Sequence, residues 1–420
     1  MRLLFVALAG SSHTASWMSQ LKDQNWDVHI FSPEDGSLHP ELSEVTVHGL
    51  WRQRSSEVHP SIRQTGLAWP FRRGRTRVTR LLHGLSRYMS PASMLARTIR
   101  ELKPTILHTL EMQRAGYLTL EAREEVGADV FPPWIFSCWG NDIYLFGRRP
   151  EHEARVRQVL RSCDFFIADC HRDVALARQF GFRGRELGVF PTVGGYDISR
   201  MQEWRQGLPA QRRLIMIKGY QSDTWGGRAL VALQALRLCA GALSGYRIIV
   251  YAAYPESQVG LLAKEVSHAT GLDISVLSPR PRDEILRLFG QARVAIGLSV
   301  SDGTPNTMLE AMIMGAFPVQ SDTVSTGEWI GDGQNGFLVP PENAAAVADA
   351  IQKAVGDDLL VNQAADLNDR ITRDRVEMSI VQPQVIEMYR RVAAWQRPRD
   401  ASERLVQAAE GETEVGALCR

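Results

Sequence analysis

Short apolar runs of strand length alternate with helical patterns along most of the chain, and this alternation restricts the fold more than any other feature. The runs in the first half are LLFVALA, TILHTL, VFPPWIFSCW and DFFIADC; those in the second are RLIMIKGY, YRIIVYAA, DISVLS, RVAIGLSV and AFPVQSD. Each run is mainly apolar and does not alternate between apolar and polar residues, which is typical of parallel strands that helices cover on both faces. The pattern predicts an α/β protein with doubly wound sheets.

The alternation pauses at a polar, turn-rich segment that begins near residue 196 and then starts again. A chain of 420 residues suits two domains of ordinary size. We therefore predict two Rossmann-like domains, 1–195 and 196–377, that face each other across a cleft. A terminal helix over 378–396 is expected to return to the first domain, and 397–420 to form a flexible tail.

Charge and cysteine content argue against several classes of protein. The formal net charge of +1 disfavours a general nucleic-acid binder. The five cysteines are widely spread, without a C-x-x-C pair, so a disulfide framework or a structural zinc site is not expected and a reducing cytosol suits the chain. No apolar stretch reaches the roughly 18 residues that span a bilayer. The opening MRLLFVALAG suits a first buried strand better than a short signal peptide, because it leads into a helical pattern.

One strand of the second half is followed by a run of turn formers and a helix start, within SVSDGTPNTMLEAMIMGAFPVQSD at residues 299–322. Thr304 is a good N-cap and Pro305 suits the first helical position. A helix N-terminus at the carboxyl edge of a parallel sheet presents unpaired N–H groups and partial positive charge, which favour a phosphate. Gly303 allows the backbone to approach such a group closely.

Two acids flank this predicted anion site. Asp302 lies in the turn, where its carboxylate can accept hydrogen bonds from a sugar hydroxyl. Glu310 lies on the helix flank that it shares with Asn306, and can accept hydrogen bonds from a ribose diol. The alternative is that Asp302 only shapes the turn and that Glu310 is a solvated helix acid.

This stretch and the segment after it, TGEWIGDGQNGFLVPPENAAAVADAI, resemble the nucleotide-sugar half of retaining GT-B glycosyltransferases of the family-4 type (glycosyl transferases group 1). The family's E-x7-E pair appears here as D-x7-E, from Asp302 to Glu310. The resemblance implies that Glu310 binds the donor ribose, that Asp302 contacts the transferred sugar, and that the backbone from Gly303 to Asn306 holds the diphosphate. It implies no metal and no cofactor. The donor would be a UDP-, GDP- or ADP-linked sugar.

The resemblance also points to basic groups that neutralise the leaving diphosphate. Lys218 and Arg228, in IMIKGYQSDTWGGRAL, are the candidates, although their order and spacing differ from the usual ones. Positioned cations stabilise the negative charge that grows on a leaving diphosphate. Arg280 lies in a segment that resembles the loop over the nucleotide base.

The first half offers candidates for the acceptor side of the predicted cleft. A loop with Ser12 and His13 follows the first strand, and His108 lies in a later one. SCWGNDI resembles the family's WGSD signature and adds Trp139 and Asp142. The alternative for Asp142 is that it caps the next turn.

The segment 72–100 is rich in arginine, and apolar residues at helical spacing within it predict a basic amphipathic helix. Such a face can rest on anionic lipid as a peripheral contact at the inner face of the membrane, which suits a lipid-linked acceptor. A solvated arginine-rich face is the equal alternative.

Together these features predict a metal-independent glycosyltransferase that moves a hexose-type unit, with retention, onto a glycan, lipid-linked or small-molecule acceptor, in cell-surface polysaccharide or glycolipid synthesis. A nucleotide-sugar epimerase of the same fold is one alternative. A glycosyltransferase-like protein that only binds is another, because Asp302, Trp139 and the spacing from Lys218 to Arg228 depart from the family pattern.

Overall fold

The computed structural model describes residues 1–34, 36–52, 58–68, 78, 90–222 and 226–396. The chain forms two compact units. The first comprises Met1–Gly194 and the chain from Val381 onward, and the second comprises Gly195–Ile380. Of the segment 72–100, in which a basic helix is predicted, only 78 and 90–100 are described, and Pro91–Leu102 is helical. The rest of that segment and the predicted tail 397–420 lie outside the described residues and stay predictions.

The first unit contains an eight-stranded, all-parallel sheet with the order β10-β9-β8-β7-β1-β2-β3-β5. Its strands are β1 (Arg2–Val6), β2 (Asp27–Phe31), β3 (Thr46–His48), β5 (Arg63–Gln64), β7 (Ile106–Leu110), β8 (Trp134–Ser137), β9 (Phe165–Ala168) and β10 (Arg185–Val189). A separate parallel pair joins β4 (Trp51–Arg52) to β6 (Leu67–Ala68).

Helices pack on both faces of this sheet. They are α1 (Ser12–Ser19), α2 (Pro91–Leu102), α3 (Tyr117–Val126), α4 (Pro150–Ser162) and α5 (His171–Gln179), with a π-helical turn at Met112–Gly116. Alternate residues of β1 enter two different cores: Leu4 packs on one face, and Leu3 and Phe5 pack on the other. Because successive side chains of a strand point to opposite faces, a strand covered on both sides must be apolar throughout, as the sequence predicted.

The second unit repeats this plan with a six-stranded parallel sheet in the order β13-β12-β11-β14-β15-β16. Its strands are β11 (Leu214–Lys218), β12 (Arg247–Tyr251), β13 (Asp273–Leu277), β14 (Ala292–Gly297), β15 (Phe317–Ser321) and β16 (Phe337–Val339). Its helices are α6 (Ile198–Gln202), α7 (Ala229–Leu238), α8 (Gln258–Thr270), α9 (Arg282–Phe289), α10 (Asn306–Ile313), α11 (Ala344–Gly356) and α12 (Asp358–Val376). The prediction of two doubly wound α/β units is confirmed.

The last described helix, α13 (Met378–Ala394), begins at the end of the second unit and packs in the core of the first. Its buried apolar residues include Val385 and Met388. Tyr389 on the same helix accepts a hydrogen bond from the indole Nε1–H of Trp17 at 2.9 Å. Among the helices of the described ranges, none is long and apolar enough to cross a membrane.

Candidate active site

The predicted anion-binding turn connects β14 to α10 in the second unit. β14 neighbours β11 in the parallel sheet, so their carboxyl ends, at Gly297 and Lys218, lie on the same edge. Pro305 is the N-cap of α10, and its own side chain makes no capping hydrogen bond. The helix therefore starts one residue later than predicted from Thr304, a shift within the usual uncertainty of helix ends. Gly315 follows the helix with a φ of +77°, as expected of a glycine stop.

A short antiparallel pairing supports this turn from the segment before α7. The Arg228 N–H donates to Leu298 O at 2.7 Å, and the Val300 N–H donates to Gly226 O at 2.9 Å. Gly227 pairs with Ser299 between these two bonds. The backbone of the turn is thereby fixed on one side.

Gly227 is required because this segment passes close to the backbone of Tyr220, where a Cβ atom on residue 227 would lie 2.0 Å from Tyr220 O. We expect Gly227→Ala to lower the free energy of unfolding of the second unit by about 2 kcal/mol, the range for an overpacked site. Urea unfolding measures this change. Gly356→Ala is the matched control, since no heavy atom lies within 4 Å of the added Cβ. Equal midpoints for the two variants would contradict the supporting role of Gly227.

Asp302 lies half-buried in the turn. Its Oδ1 accepts a hydrogen bond from the Gly303 N–H at 3.0 Å. The carboxylate thus already contacts one of the amides predicted to hold the diphosphate. Burial and the charge of Asp302 together raise the pKa of Tyr220, which places that phenol near the same turn. The hydroxyl of Thr304 accepts from the Trp329 indole at 3.1 Å.

Glu310 is buried on α10, with 7% of its surface exposed. Its Oε1 accepts a hydrogen bond from Nε of Arg282 at 2.7 Å. Glu310 is therefore not the solvated helix acid of the alternative interpretation. Arg280, the arginine chosen from the sequence, is exposed; the guanidinium that contacts the predicted site belongs to Arg282, two residues later.

The two predicted cations differ in their surroundings. Lys218 is the last residue of β11 and is half-buried; within the described ranges, no hydrogen bond or ion pair joins its ammonium group to another residue. Arg228 donates from Nε to Glu342 at 2.6 Å and from Nη1 to Ser222 O at 2.5 Å. A diphosphate would therefore compete with Glu342 for Arg228.

In the first unit, two of the predicted acceptor-side residues come together. His13 lies in the first turn of α1, and its ring centroid is 5.3 Å from that of Trp139, at an interplanar angle of 74°. Both side chains are half-buried, and Ser12 beside them is exposed. These residues follow β1 and β8, which flank β7 in the sheet, so neighbouring strand ends bring them together.

His108 does not fit a role at an acceptor surface, because none of its surface is exposed. Its Nδ1 lies 2.6 Å from the Tyr389 hydroxyl and its Nε2 lies 2.7 Å from Ser137 Oγ. Burial lowers the pKa of His108 to about 3. His108 is kept from the surface because all of β7 is buried. A polar side chain in this strand must therefore form its hydrogen bonds inside the core.

Asp142 is also buried, at 2% exposure. Its Oδ2 accepts a hydrogen bond from the Trp139 N–H at 2.8 Å. This bond agrees with the alternative interpretation, in which Asp142 caps the turn. Burial, followed by the charge of Glu111, raises the pKa of Asp142 well above its usual range. Glu111 itself caps the π-helical turn by accepting from the N–H groups of Gln113 and Ala115, among others.

One group of three potential metal-ligating side chains occurs in the described ranges, formed by Asp169, Cys170 and Asp173. All three are buried. Arg172 donates from Nε to Asp173 at 2.8 Å, so an internal cation already compensates part of the negative charge. We assign no ligand to this group.

Sequence reasoning missed Arg282 and Tyr196. Tyr196 is 2% exposed, and its hydroxyl donates to Asn306 Oδ1 at 3.2 Å. The partners are 28 residues apart in the pair of Arg282 with Glu310 and 110 apart in the pair of Tyr196 with Asn306. Neither separation produces a local sequence signal.

Comparisons with known proteins match two separate stretches of the chain to glycosyltransferase families. Residues 10–192 match the family described as "Glycosyl transferase 4-like domain", and residues 228–357 match "Glycosyl transferases group 1". Between them, the two matches take in most of the chain. The comparison with curated protein sequences gave no match.

Solved structures of similar fold cover nearly the full length of the chain. Sucrose-phosphate synthase from Thermosynechococcus elongatus is 15% identical, with a TM-score of 0.66 over 94% of this chain and 99% of that one. HepE from Anabaena, in complex with UDP-glucose, is 17% identical, with a TM-score of 0.65 over 93% and 100%. A glycosyltransferase from Rickettsia africae is 15% identical, with a TM-score of 0.65 over 94% and 99%.

At these identities the structural likeness shows the fold alone, and the family follows from the two matched domains. The predicted GT-B fold and the predicted family-4-type, group 1 glycosyltransferase domains are confirmed, whereas retention and the D-x7-E assignment stay predictions. The chain belongs to the GT-B glycosyltransferases, with a glycosyl transferase 4-like domain followed by a glycosyl transferases group 1 domain.

Proposed function

We propose that the protein transfers a hexose-type unit, with retention, from a nucleoside diphosphate sugar to an acceptor hydroxyl. The observation that carries the proposal is the turn between β14 and α10. It combines the start of α10, backbone support from the Gly227 segment, and two carboxylates, Asp302 and Glu310, within one unit. A helix N-terminus favours a phosphate, and carboxylates accept hydrogen bonds from hydroxyls.

Each part of the donor then has a proposed partner. The start of α10, from Gly303 to Asn306, receives the diphosphate, and Lys218 and Arg228 offset the charge that develops on the leaving group. Glu310 binds the ribose, and Asp302 turns from the Gly303 amide towards a hydroxyl of the transferred sugar. HepE, a structural neighbour, is described in complexes with UDP and with UDP-glucose, which supports a donor of this class.

No metal ion is needed in this proposal, because the helix start and the two cations supply the positive charge. The leaving phosphate oxygen takes the proton of the acceptor hydroxyl on the same face of the sugar, so no protein base is required. A glycosidase differs, since its two carboxyl groups flank the scissile bond as acid and nucleophile or base. Asp302 and Glu310 are instead assigned to hydrogen bonding with donor hydroxyls.

The acceptor remains defined only by class: a glycan, a lipid-linked sugar or a small molecule. The pairing of His13 with Trp139, beside the exposed Ser12, is the described surface of the first unit that we assign to it. An aromatic face and adjacent hydroxyl and imidazole groups suit the apolar and polar sides of a sugar ring.

A donor panel tests the reaction. The purified protein is incubated with UDP-, GDP- and ADP-linked hexoses, and the products are followed by chromatography. We expect slow hydrolysis or transfer with one of the donors, because a transferase without its acceptor leaks sugar to water. An isomerised donor would favour the epimerase, and donor binding without turnover would favour a protein that only binds.

A further inference from the structure

The carboxylate of Glu310 is held by one arginine from a different helix. Arg282 is the first residue of α9, and its Nε–H donates to Oε1 of Glu310 at 2.7 Å. Within the described part of the chain, no other side chain or amide bonds to the Glu310 carboxylate. One carboxylate oxygen is thus engaged by Arg282, while Oε2 keeps its capacity to accept.

Tyr196 supports Arg282 from the other side. The guanidinium carbon of Arg282 lies 5.5 Å from the centroid of the Tyr196 ring, within the range of a cation–π contact. Two backbone hydrogen bonds of 2.8 Å hold Tyr196 in place. Its N–H donates to Val376 O, and its carbonyl oxygen accepts from the Met378 N–H. Its hydroxyl donates to Asn306 on the first turn of α10. Tyr196 therefore links the position of the arginine to the start of the helix that carries Glu310.

Resting on the function proposed above, we propose that Arg282 is a positioning residue of the donor site. By holding Oε1, it fixes the orientation of the Glu310 carboxylate so that Oε2 accepts a hydrogen bond from the ribose diol of a nucleoside diphosphate. A free glutamate side chain would lose rotamer entropy on binding the ribose. Because Arg282 already holds the Glu310 side chain in one rotamer in the folded protein, this entropy is not lost again when the ribose binds.

The pair also compensates a buried charge. A carboxylate exposed by only 7% would be costly without a cation beside it. Lysine cannot replace arginine fully, because the planar guanidinium both donates from a fixed Nε–H and stacks on an aromatic ring. This predicts a graded series in which Arg282→Lys retains the charge but holds Glu310 less well than the wild type.

The test uses a double-mutant cycle in the full chain. Isothermal calorimetry with UDP, GDP and ADP identifies the nucleotide that the wild type binds most tightly, and that nucleotide is used throughout. We expect Arg282→Gln to weaken its affinity about 10-fold, within the range of couplings between contacting residues. In a Glu310→Gln background, the same change is expected to weaken affinity less than about twofold. The 2′-deoxy form of the nucleotide should likewise show a smaller effect of Arg282→Gln.

Arg287→Gln is the matched control, since it removes an exposed arginine from the same helix, α9, that stacks on Trp204. We expect its affinity to equal that of the wild type, and Arg282→Lys to lie between wild type and Arg282→Gln. Thermal unfolding identifies any variant that does not fold, in which case Arg282→Lys carries the test.

Two failures are distinguishable. If the wild type binds none of the three nucleotides, the proposed function is wrong and this inference is wrong with it. If the wild type binds a nucleotide but Arg282→Gln binds it equally well, or loses as much affinity in the Glu310→Gln background, Arg282 does not act through Glu310. The function proposed for the site would then stand without this inference.

Discussion

Glu310→Gln is expected to weaken nucleoside diphosphate binding about 30-fold, which corresponds to about 2 kcal/mol. The substitution preserves the shape of the side chain but removes the charge that a ribose hydroxyl and Arg282 both contact. Hydrogen bonds to charged groups contribute more than bonds between neutral ones. Calorimetric titration with UDP, GDP and ADP measures the change in affinity.

The control for this prediction is Glu284→Gln, which removes an exposed carboxylate on α9. We expect the control to bind nucleotide as the wild type does. An unchanged affinity in Glu310→Gln, with normal thermal unfolding, would refute the assignment of Glu310 to the ribose. A loss that appeared equally in Glu284→Gln would instead point to a general effect of charge.

The donor turn was predictable from the sequence because its signals are contiguous. A mainly apolar run, the turn formers around Gly303, a threonine-proline helix start and Gly315 follow one another within about two dozen residues. Each has a local physical cause in backbone geometry or hydrogen bonding. The error was confined to one residue at the N-cap, where Pro305 takes the place predicted for Thr304.

The partners of the side chains were not predictable in the same way. Arg280 and Arg282 have similar sequence surroundings, and only the path of the chain after β13 decides which one reaches Glu310. Arg228 was expected to face a diphosphate, yet it donates to Glu342, 114 residues away. Ion pairs of this kind depend on packing between elements, which periodicity alone does not specify.

His108 shows a different error. The sequence suggested that this polar strand residue belongs to the acceptor site, but the structure buries it in the core. The sequence suggests that His108 lies near the carboxyl end of a parallel strand, where a side chain can contact a ligand. In the structure it is the middle residue of β7, Ile106–Leu110, and the whole strand is buried. The partner that decides the question is Tyr389, 281 residues further along the chain. Because α13 packs in the core of the first unit, this long-range contact makes His108 a buried structural residue and not an acceptor-binding one.

The hydrogen bonds around His108 specify its tautomer. The Trp17 indole can only donate, so the Tyr389 oxygen accepts from it at 2.9 Å. Among the described residues, His108 Nδ1 is the only acceptor within reach of the Tyr389 hydroxyl, so the hydroxyl hydrogen is donated to Nδ1. Nε2 therefore carries the ring proton and donates to Ser137 Oγ at 2.7 Å. Both ring nitrogens of this neutral histidine are hydrogen-bonded, and a proton added at Nδ1 would meet the Tyr389 hydroxyl hydrogen.

The buried histidine is expected to make the first unit sensitive to acid. Its pKa is about 3 in the folded protein, against 6.5 ordinarily. Below pH 6.5 the unfolded chain binds a proton that the folded chain does not, so the free energy of unfolding falls as the pH decreases towards 3. The loss is about 1.4 kcal/mol for each pH unit well below 6.5, or about 3 kcal/mol between pH 8 and pH 4.5.

His108→Gln isolates this contribution, because glutamine can accept from Tyr389 and donate to Ser137 but does not titrate in this range. We expect the variant to be less stable than the wild type at pH 8, because the imidazole ring fills its place in the core better than glutamine does. By pH 4.5 the variant is expected to be no less stable than the wild type. Urea unfolding at both pH values gives the difference between the two proteins, in which other titrating groups cancel. His268→Gln, at an exposed histidine of α8, controls for the substitution itself. A difference between wild type and His108→Gln that stayed constant from pH 8 to pH 4.5 would show that His108 is not held neutral by the core, and the tautomer argument would fail with it.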